Sequence, residues 1–186
     1  GFVVPPLSAR VRYQRPRDFT PPRTHLFLRV LIEGVPWVAD VGVGSMSLTS
    51  PIRFDVASEQ PTRHEPRRII SEDGRFFHQV RLGDTWHDVL EFTGEAMPPI
   101  DRELANWYTS THPQSHFRHR LTAARALPDG GRLTLLNREL TRRRRDGSAQ
   151  SSTVATPEDL VETLAREFDL HVPPGTRFAC EGLQWD

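Results

Sequence analysis

The segment from Thr24 to Val41 constrains the fold more than any other part of the chain. Apolar residues alternate along it on both sides of Glu33-Gly34, the pattern of two strands joined by a tight turn. A two-residue turn there fixes every cross-strand pair. Ile32 then faces Val35, Val30 faces Trp37, Leu28 faces Ala39 and Leu26 faces Val41. That face is wholly apolar and is expected to lie on a core. The other face pairs Leu31 with Pro36, Arg29 with Val38, Phe27 with Asp40 and His25 with Gly42. His25 and Asp40 thereby become diagonal neighbours, about 7–8 Å apart at the backbone and within reach of long side chains. A slip of one residue would put them on opposite faces and break the apolar one.

A carboxylate beside an imidazole fixes its tautomer and stabilises the imidazolium formed when the histidine takes a proton. The natural donor of that proton is a serine or cysteine nucleophile. A purely structural His–Asp hydrogen bond is the ordinary alternative. Gly42 and Gly44, just after Asp40, leave the backbone bare, so that an acyl or cofactor group could approach closely.

Composition removes several function classes. The chain has 186 residues, with 24 basic against 24 acidic, so no net field steers it towards nucleic acid or a membrane. Every basic residue is arginine, which leaves no lysine for Schiff-base chemistry or a phosphate loop. One cysteine, Cys180, excludes an internal disulfide framework and fits a reducing, cytoplasmic setting. No apolar run approaches the roughly 18 residues of a membrane-spanning helix, and the first residues do not read as a signal peptide. The chain starts at Gly1 and goes almost directly into strand-like sequence, which reads as part of something longer.

The remaining elements follow from turns and periodicity. Val3-Val4 and Ser8 to Tyr13 read as short extended segments, and Pro16 to Pro22 as a proline-rich loop. Pro51 to Phe54 starts another extended stretch. Arg67 to Ile70, Phe76 to Leu82 and Trp86 to Phe92 read as strands parted by turns at Asp73-Gly74 and Gly83-Asp84. Asp101 to Ser110 has helical spacing and Pro113 should end it. Phe117 to Ala126 and Arg132 to Leu140 read as strands, and Arg142 to Gly147 as a polar hairpin tip. Thr156-Pro157-Glu158-Asp159 opens a helix with cap, first-turn proline and acidic third residue, and Leu160, Leu164 and Phe168 form its buried stripe. The expected fold is α+β: an antiparallel β-barrel over 1–97, an interdomain helix over 98–115 and a smaller α/β lid over 116–186.

Thr24-His25-Leu26, Trp37 and Asp40-Val41-Gly42-Val43-Gly44 together resemble the "T-H-M … W … D-V-G-F-G" signature of arylamine N-acetyltransferases. Asn106 to Phe117 is similar to that family's "N-x-x-x-S-T-x-P-x-S-x-F" segment. The resemblance implies an N-terminal helical bundle, a β-barrel and an α/β lid. It implies acetyl transfer from acetyl-CoA, through a cysteine thioester, to arylamines, hydrazines or N-hydroxyarylamines, with no metal. His25 would be the base and Asp40 its orienter. Thr24, Gly42 and Gly44 would line the acetyl-CoA cleft, and Val43 and Phe117 the acceptor pocket. Leu26 stands where the family usually has methionine, Val43 where it has an aromatic residue, and Ser45 where a further glycine is common. Nothing in the chain matches the "R-G-G-x-C-x-E" segment that carries the nucleophile. The expected partners are therefore the small-molecule acceptor and a missing N-terminal bundle of roughly 90–100 residues, on the usual size of such domains. This chain alone is expected to be inactive.

Other readings stay open beside this one. One is a non-catalytic barrel-and-lid module that binds CoA or an aromatic ligand; another keeps the same constellation for thiol-dependent hydrolysis. Cys180 lies far from the family's nucleophile position and reads as a packed thiol. His112, His116 and His119 have ligand-like spacing, but Pro113 breaks the helix they would need, and no carboxylate or cysteine lies close by in sequence. Arg142 to Arg145 reads as a solvated tip.

Overall fold

The turn at Glu33-Gly34 forms with both residues at positive φ, 52° and 77°, as a tight hairpin of this kind requires. The structure is a computed structural model that describes residues 2–185. It divides into two compact units, Gly1–Tyr108 and Thr109–Asp186.

The first unit is a nearly closed antiparallel barrel. Its strands are β1 (Pro6–Val11), β2 (His25–Ile32), β3 (Val35–Ala39), β4 (Ile52–Arg53), β5 (Arg67–Glu72), β6 (Arg75–Leu82) and β7 (Thr85–Phe92). They run in the spatial order β4-β3-β2-β1-β7-β6-β5. Gln60 spans the gap between the edge strands β4 and β5. Its backbone exchanges two hydrogen bonds with Arg67, of 2.7 and 2.9 Å. Its side chain accepts from the Arg53 amide at 2.6 Å and donates to the Arg53 carbonyl at 2.9 Å. Both edges are thereby tied rather than left as open templates. Helix α1 (Pro99–Thr111) follows the barrel strands and buries only Ala105.

The β2–β3 register is the expected one, with Leu28 opposite Ala39, Val30 opposite Trp37 and Ile32 opposite Val35. The face assignment is reversed. The continuous apolar face does not supply the barrel core: Leu26, Ile32 and Val41 are exposed and the rest of that face is half-buried. The mixed face turns inward instead, with Phe27 and Val38 in the core and Asp40 buried beside them. Closing the sheet decides the matter. Phe27 meets Phe92 edge-on at 4.8 Å, and Phe54 and Phe76 join them to fill the interior. A β-bulge on β7, where His78 opposes Leu90 and Gln79 opposes Asp88, leaves Val89 unpaired and lets Val89 and Leu90 both be buried.

The second unit is a four-stranded antiparallel sheet in the order β11-β10-β9-β8 with helix α3. The strands are β8 (Thr122–Ala126), β9 (Arg132–Leu136), β10 (Glu139–Arg143) and β11 (Ala149–Thr153). Two expectations change here. His116–His119 is a short helix, α2, rather than the start of a strand. The stretch Arg132 to Leu140 is broken by Asn137 at φ 55°, so two strands and a tight turn replace one strand. Helix α3 (Pro157–Phe168) has the capping box expected of it: the Thr156 hydroxyl accepts from the Asp159 amide at 3.0 Å, and the Asp159 carboxylate accepts from the Thr156 amide at 3.2 Å. Leu160, Leu164 and Phe168 pack with Leu133, Leu135 and Leu183 in this unit's core. Among the described residues, no helix is long and apolar enough to cross a membrane.

Two stability predictions follow from these placements. Thr156→Ala should cost about 1 kcal/mol, read as faster hydrogen exchange of the α3 amides with barrel amides unchanged. His78 is fully buried and its ring nitrogens have no hydrogen-bond partner among the described residues. Burial, then the charge of Arg67, then that of His25, hold its pKa well below 6.5. Above 6.5 both folded and unfolded chains carry it neutral, so its contribution is fully present. As pH falls below 6.5 the unfolded chain takes up a proton that the folded chain refuses, and stability drops. Urea unfolding at pH 7.5 and pH 5 should show this loss, and His78→Phe should reduce it.

Candidate functional site

His25 opens β2, opposite Ala9 of β1, and Asp40 immediately follows β3. Their side chains meet, with Nε2 of His25 2.8 Å from Oδ2 of Asp40. The imidazole is 10% exposed and the carboxylate 2%. An ionised carboxylate only accepts, so Nε2 carries the proton and donates it. In the neutral ring Nδ1 is then the basic nitrogen. The second carboxylate oxygen, Oδ1, accepts from the Gly42 amide at 2.9 Å. Asp40 is thus fixed at both oxygens, and it fixes the ring in turn.

Backbone bonds shape the loop beyond Asp40. The Leu48 amide donates to the Asp40 carbonyl at 3.0 Å and closes the loop at its base. A single 3-10 turn, Gly44–Met46, bends its crest, with Gly44 at φ 62°. The bareness of Gly42 serves the pair itself. A Cβ there would lie 3.2 Å from Cε1 and 3.9 Å from Nδ1 of His25, and 3.7 Å from Oδ1 of Asp40. Gly44 is different, because a Cβ would meet nothing within 4 Å and the constraint lies in its φ. Val43 packs against the barrel core, whereas Val41 points away and is 92% exposed.

The loop before His25 is laced to the barrel by arginines. Arg12, itself buried, binds Glu91 through Nε at 2.6 Å and donates from Nη1 to the carbonyls of Pro16, at 2.9 Å, and Phe19. Burial pushes the Glu91 carboxyl up, but hydrogen bonds from Arg12 and Arg75 outweigh it and hold the group below its usual range. Arg17 bridges Asp88 and Glu72 from the same loop. Thr24, at the loop's end, lines a shallow cleft of about 270 Å³ together with Ser8, Asp101, Leu104 and Tyr108.

The sequence-derived site residues fall into two groups. His25, Asp40, Gly42, Val43 and Gly44 sit in one hairpin and its following loop, with Thr24 beside them. Phe117 belongs to the second unit, where it is 57% exposed and lies against the His116 ring at 4.0 Å. Cys180 is half-buried against the second unit's core. His119 binds Glu181 at 2.8 Å, and His112 accepts from the Gln114 amide. Among the described residues, no three His, Cys, Asp or Glu side chains are grouped to hold a metal ion.

Sequence reasoning missed the polar residues inside the barrel: Arg67, Glu65 and His78 are all buried. A signal for Arg67 was present. Alternation places it on the same face of β5 as the core residue Ile69. An arginine at such a position needs an internal partner.

Comparison with known proteins identifies the family and the fold. A family model for N-acetyltransferase matches residues 1–177. Arylamine N-acetyltransferase / N-hydroxyarylamine O-acetyltransferase of Salmonella typhimurium is 36% identical over 172 residues, which cover 92% of this chain and 61% of the relative. Arylamine N-acetyltransferase of Mycobacterium tuberculosis is 37% identical over 185 residues, covering 97% of this chain and 65% of the relative. The solved Salmonella typhimurium structure superposes with a TM-score of 0.85 at 34% identity, over 96% of this chain and 65% of that one. The Mycobacterium marinum arylamine N-acetyltransferase in complex with CoA gives 0.85 at 34% identity, over 91% and 63%. The chain thus spans less than two thirds of the length of these relatives.

Gly42→Ala tests the tight packing around the pair. It should push the His25 ring by a few tenths of an ångström and weaken its bond to Asp40. The measurement is the downfield imidazole N–H signal in proton NMR, expected to broaden or vanish while the methyl signals of the barrel core stay in place.

Proposed function

The chain belongs to the arylamine N-acetyltransferase family, and on that premise we propose that it carries the base and the orienting carboxylate of an acetyl transfer. The observation that supports this most is the His25–Asp40 pair, which leaves Nδ1 as the basic nitrogen. In this reading His25 takes the proton of a cysteine thiol. The thiolate attacks the acetyl carbonyl of acetyl-CoA, the CoA thiolate leaves, and it receives the proton from the imidazolium. An arylamine, hydrazine or N-hydroxyarylamine then attacks the thioester. Its proton passes to His25 and on to the departing cysteine. Asp40 keeps the ring in the productive tautomer throughout. Gly42, Gly44 and Thr24 border the space for acetyl-CoA, and Val43 borders that for the acceptor.

The nucleophile in this reading belongs to a helical bundle outside these 186 residues. Two exposed apolar features support such a partner. One is the outward face of the hairpin, at Leu26, Ile32 and Val41. The other is the stripe Ile100, Leu104 and Trp107 of α1, whose residues are 57–59% exposed at helical spacing. Cys180 has no part in this scheme.

The test has two arms. The 186-residue chain, mixed with acetyl-CoA and an arylamine, should give no acetylated amine. The parent open reading frame should encode an upstream R-G-G-x-C segment, and its full product should acetylate the amine. In that product Asp40→Asn should lower kcat by about 10⁴-fold, the loss typical when an orienting carboxylate is removed. Absence of the upstream segment, or wild-type turnover in Asp40→Asn, would overturn the proposal.

A further inference from the structure

The loop that carries Asp40 is also gripped from the barrel interior. We infer that Arg67 is a positioning residue for the His25–Asp40 pair, acting through the carbonyl of Met46. The inference rests on the functional reading above only for what the pair does.

Arg67 opens β5 and is 0% exposed. Its Nη2 donates to Oε2 of Glu65 at 3.0 Å, and its Nη1 donates to the Met46 carbonyl at 3.0 Å. Met46 is the last residue of the 3-10 turn in the loop after Asp40. The two hydrogen bonds of that turn run from the Met46 amide to Val43, at 3.5 Å, and from the Ser47 amide to Gly44, at 3.1 Å, and neither uses the Met46 carbonyl. A guanidinium supplies the missing donor. From Met46 the chain leads to Leu48, whose amide binds the Asp40 carbonyl, while the Gly42 amide binds the Asp40 carboxylate. The loop is therefore pinned at crest and base, and the carboxylate that holds His25 belongs to Asp40, the residue at the base pin.

The chemistry of the side chain fits this task. Burying a guanidinium is costly, and an apolar residue would fill the barrel with less penalty. What arginine adds is a rigid planar fork whose two separate Nη groups meet the two acceptors in fixed directions, whereas the donors of lysine all sit on one nitrogen at the end of a flexible stem. Glu65 neutralises the charge while the Met46 carbonyl takes the directed bond. A second contact comes from the same segment, where Nδ1 of His64 lies 2.9 Å from the Thr49 hydroxyl, just beyond the loop. The segment Gln60–Arg67 thus both joins the barrel edges and braces the loop.

Hydrogen exchange and proton NMR on this chain test the inference without any acetylation assay, so their outcome is separate from that of the functional reading. Two variants are compared with the unaltered protein. Arg67→Lys keeps the charge but loses the fork. The double variant R67M/E65L removes both charges together, so that neither is left buried alone. In both, exchange of the Gly42 and Leu48 amides should rise at least tenfold and the His25 imidazole N–H signal should broaden. Exchange of Val80 and Leu90, in β6 and β7, should stay within twofold. Unchanged Gly42 and Leu48 exchange in the folded double variant would overturn the inference. So would an equal rise in the Val80 and Leu90 amides, or failure of the double variant to fold, because Arg67 would then serve the barrel as a whole.

Discussion

The register of β2 against β3 is the constraint on which the first unit depends. It sets Phe27 and Val38 into the barrel together and brings His25 and Asp40 to the same end of the same face. The ladder between the two strands stops at Leu28 and Ala39, so Asp40 leaves the sheet one residue beyond the last pair. There it is free to turn its carboxylate back onto its own loop and across to His25. A longer ladder would hold Asp40 in the pleat, where the two side chains are diagonal and further apart. The short distance of the pair thus comes from the ladder's end as much as from its register.

How much of this was legible in the sequence differs from residue to residue. Turn chemistry at Glu33-Gly34 and the alternation around it were enough for the register. They were not enough for the face, because alternation separates two faces without saying which is inside. The more apolar face reads as the core face, yet the barrel turns the other one inward and fills with Phe27, Phe54, Phe76 and Phe92. In the second unit the helix at Pro157 was legible because cap, proline and acidic residue act within one turn. The break at Asn137 was not read, although asparagine tolerates the left-handed conformation it adopts there. The internal role of Arg67 depends on Met46 and Glu65, and the bond to Met46 joins residues that no local pattern relates.

Several ionisable groups are buried in the barrel interior near the candidate site, and they meet the cost of burial in two ways. Glu65 and Arg67 remain charged as a pair and Asp40 receives hydrogen bonds at both oxygens. His78, with no hydrogen-bond partner for its ring and with Arg67 acting on it, takes the other route and stays neutral. The same cation therefore holds a carbonyl of the loop and disfavours a second positive charge in the interior. An interior of this kind sacrifices packing stability for orientation, a trade expected where side chains must be held for chemistry.

The reversed faces of the hairpin connect that orientation to the proposed partner. His25 and Leu26 are neighbours in one strand and project to opposite sides. The imidazole faces the buried side, and the leucine faces the exposed apolar one. Whatever covers Leu26 and Val41 must therefore come within one residue of His25 on one strand and of Asp40 and Gly42 on the other. Docking and chemistry would then not be independent events. Apolar burial on the outer face of the hairpin would bring a nucleophile to its rim, and the inner face, pinned through Asp40, would already hold the base in the tautomer that can accept its proton.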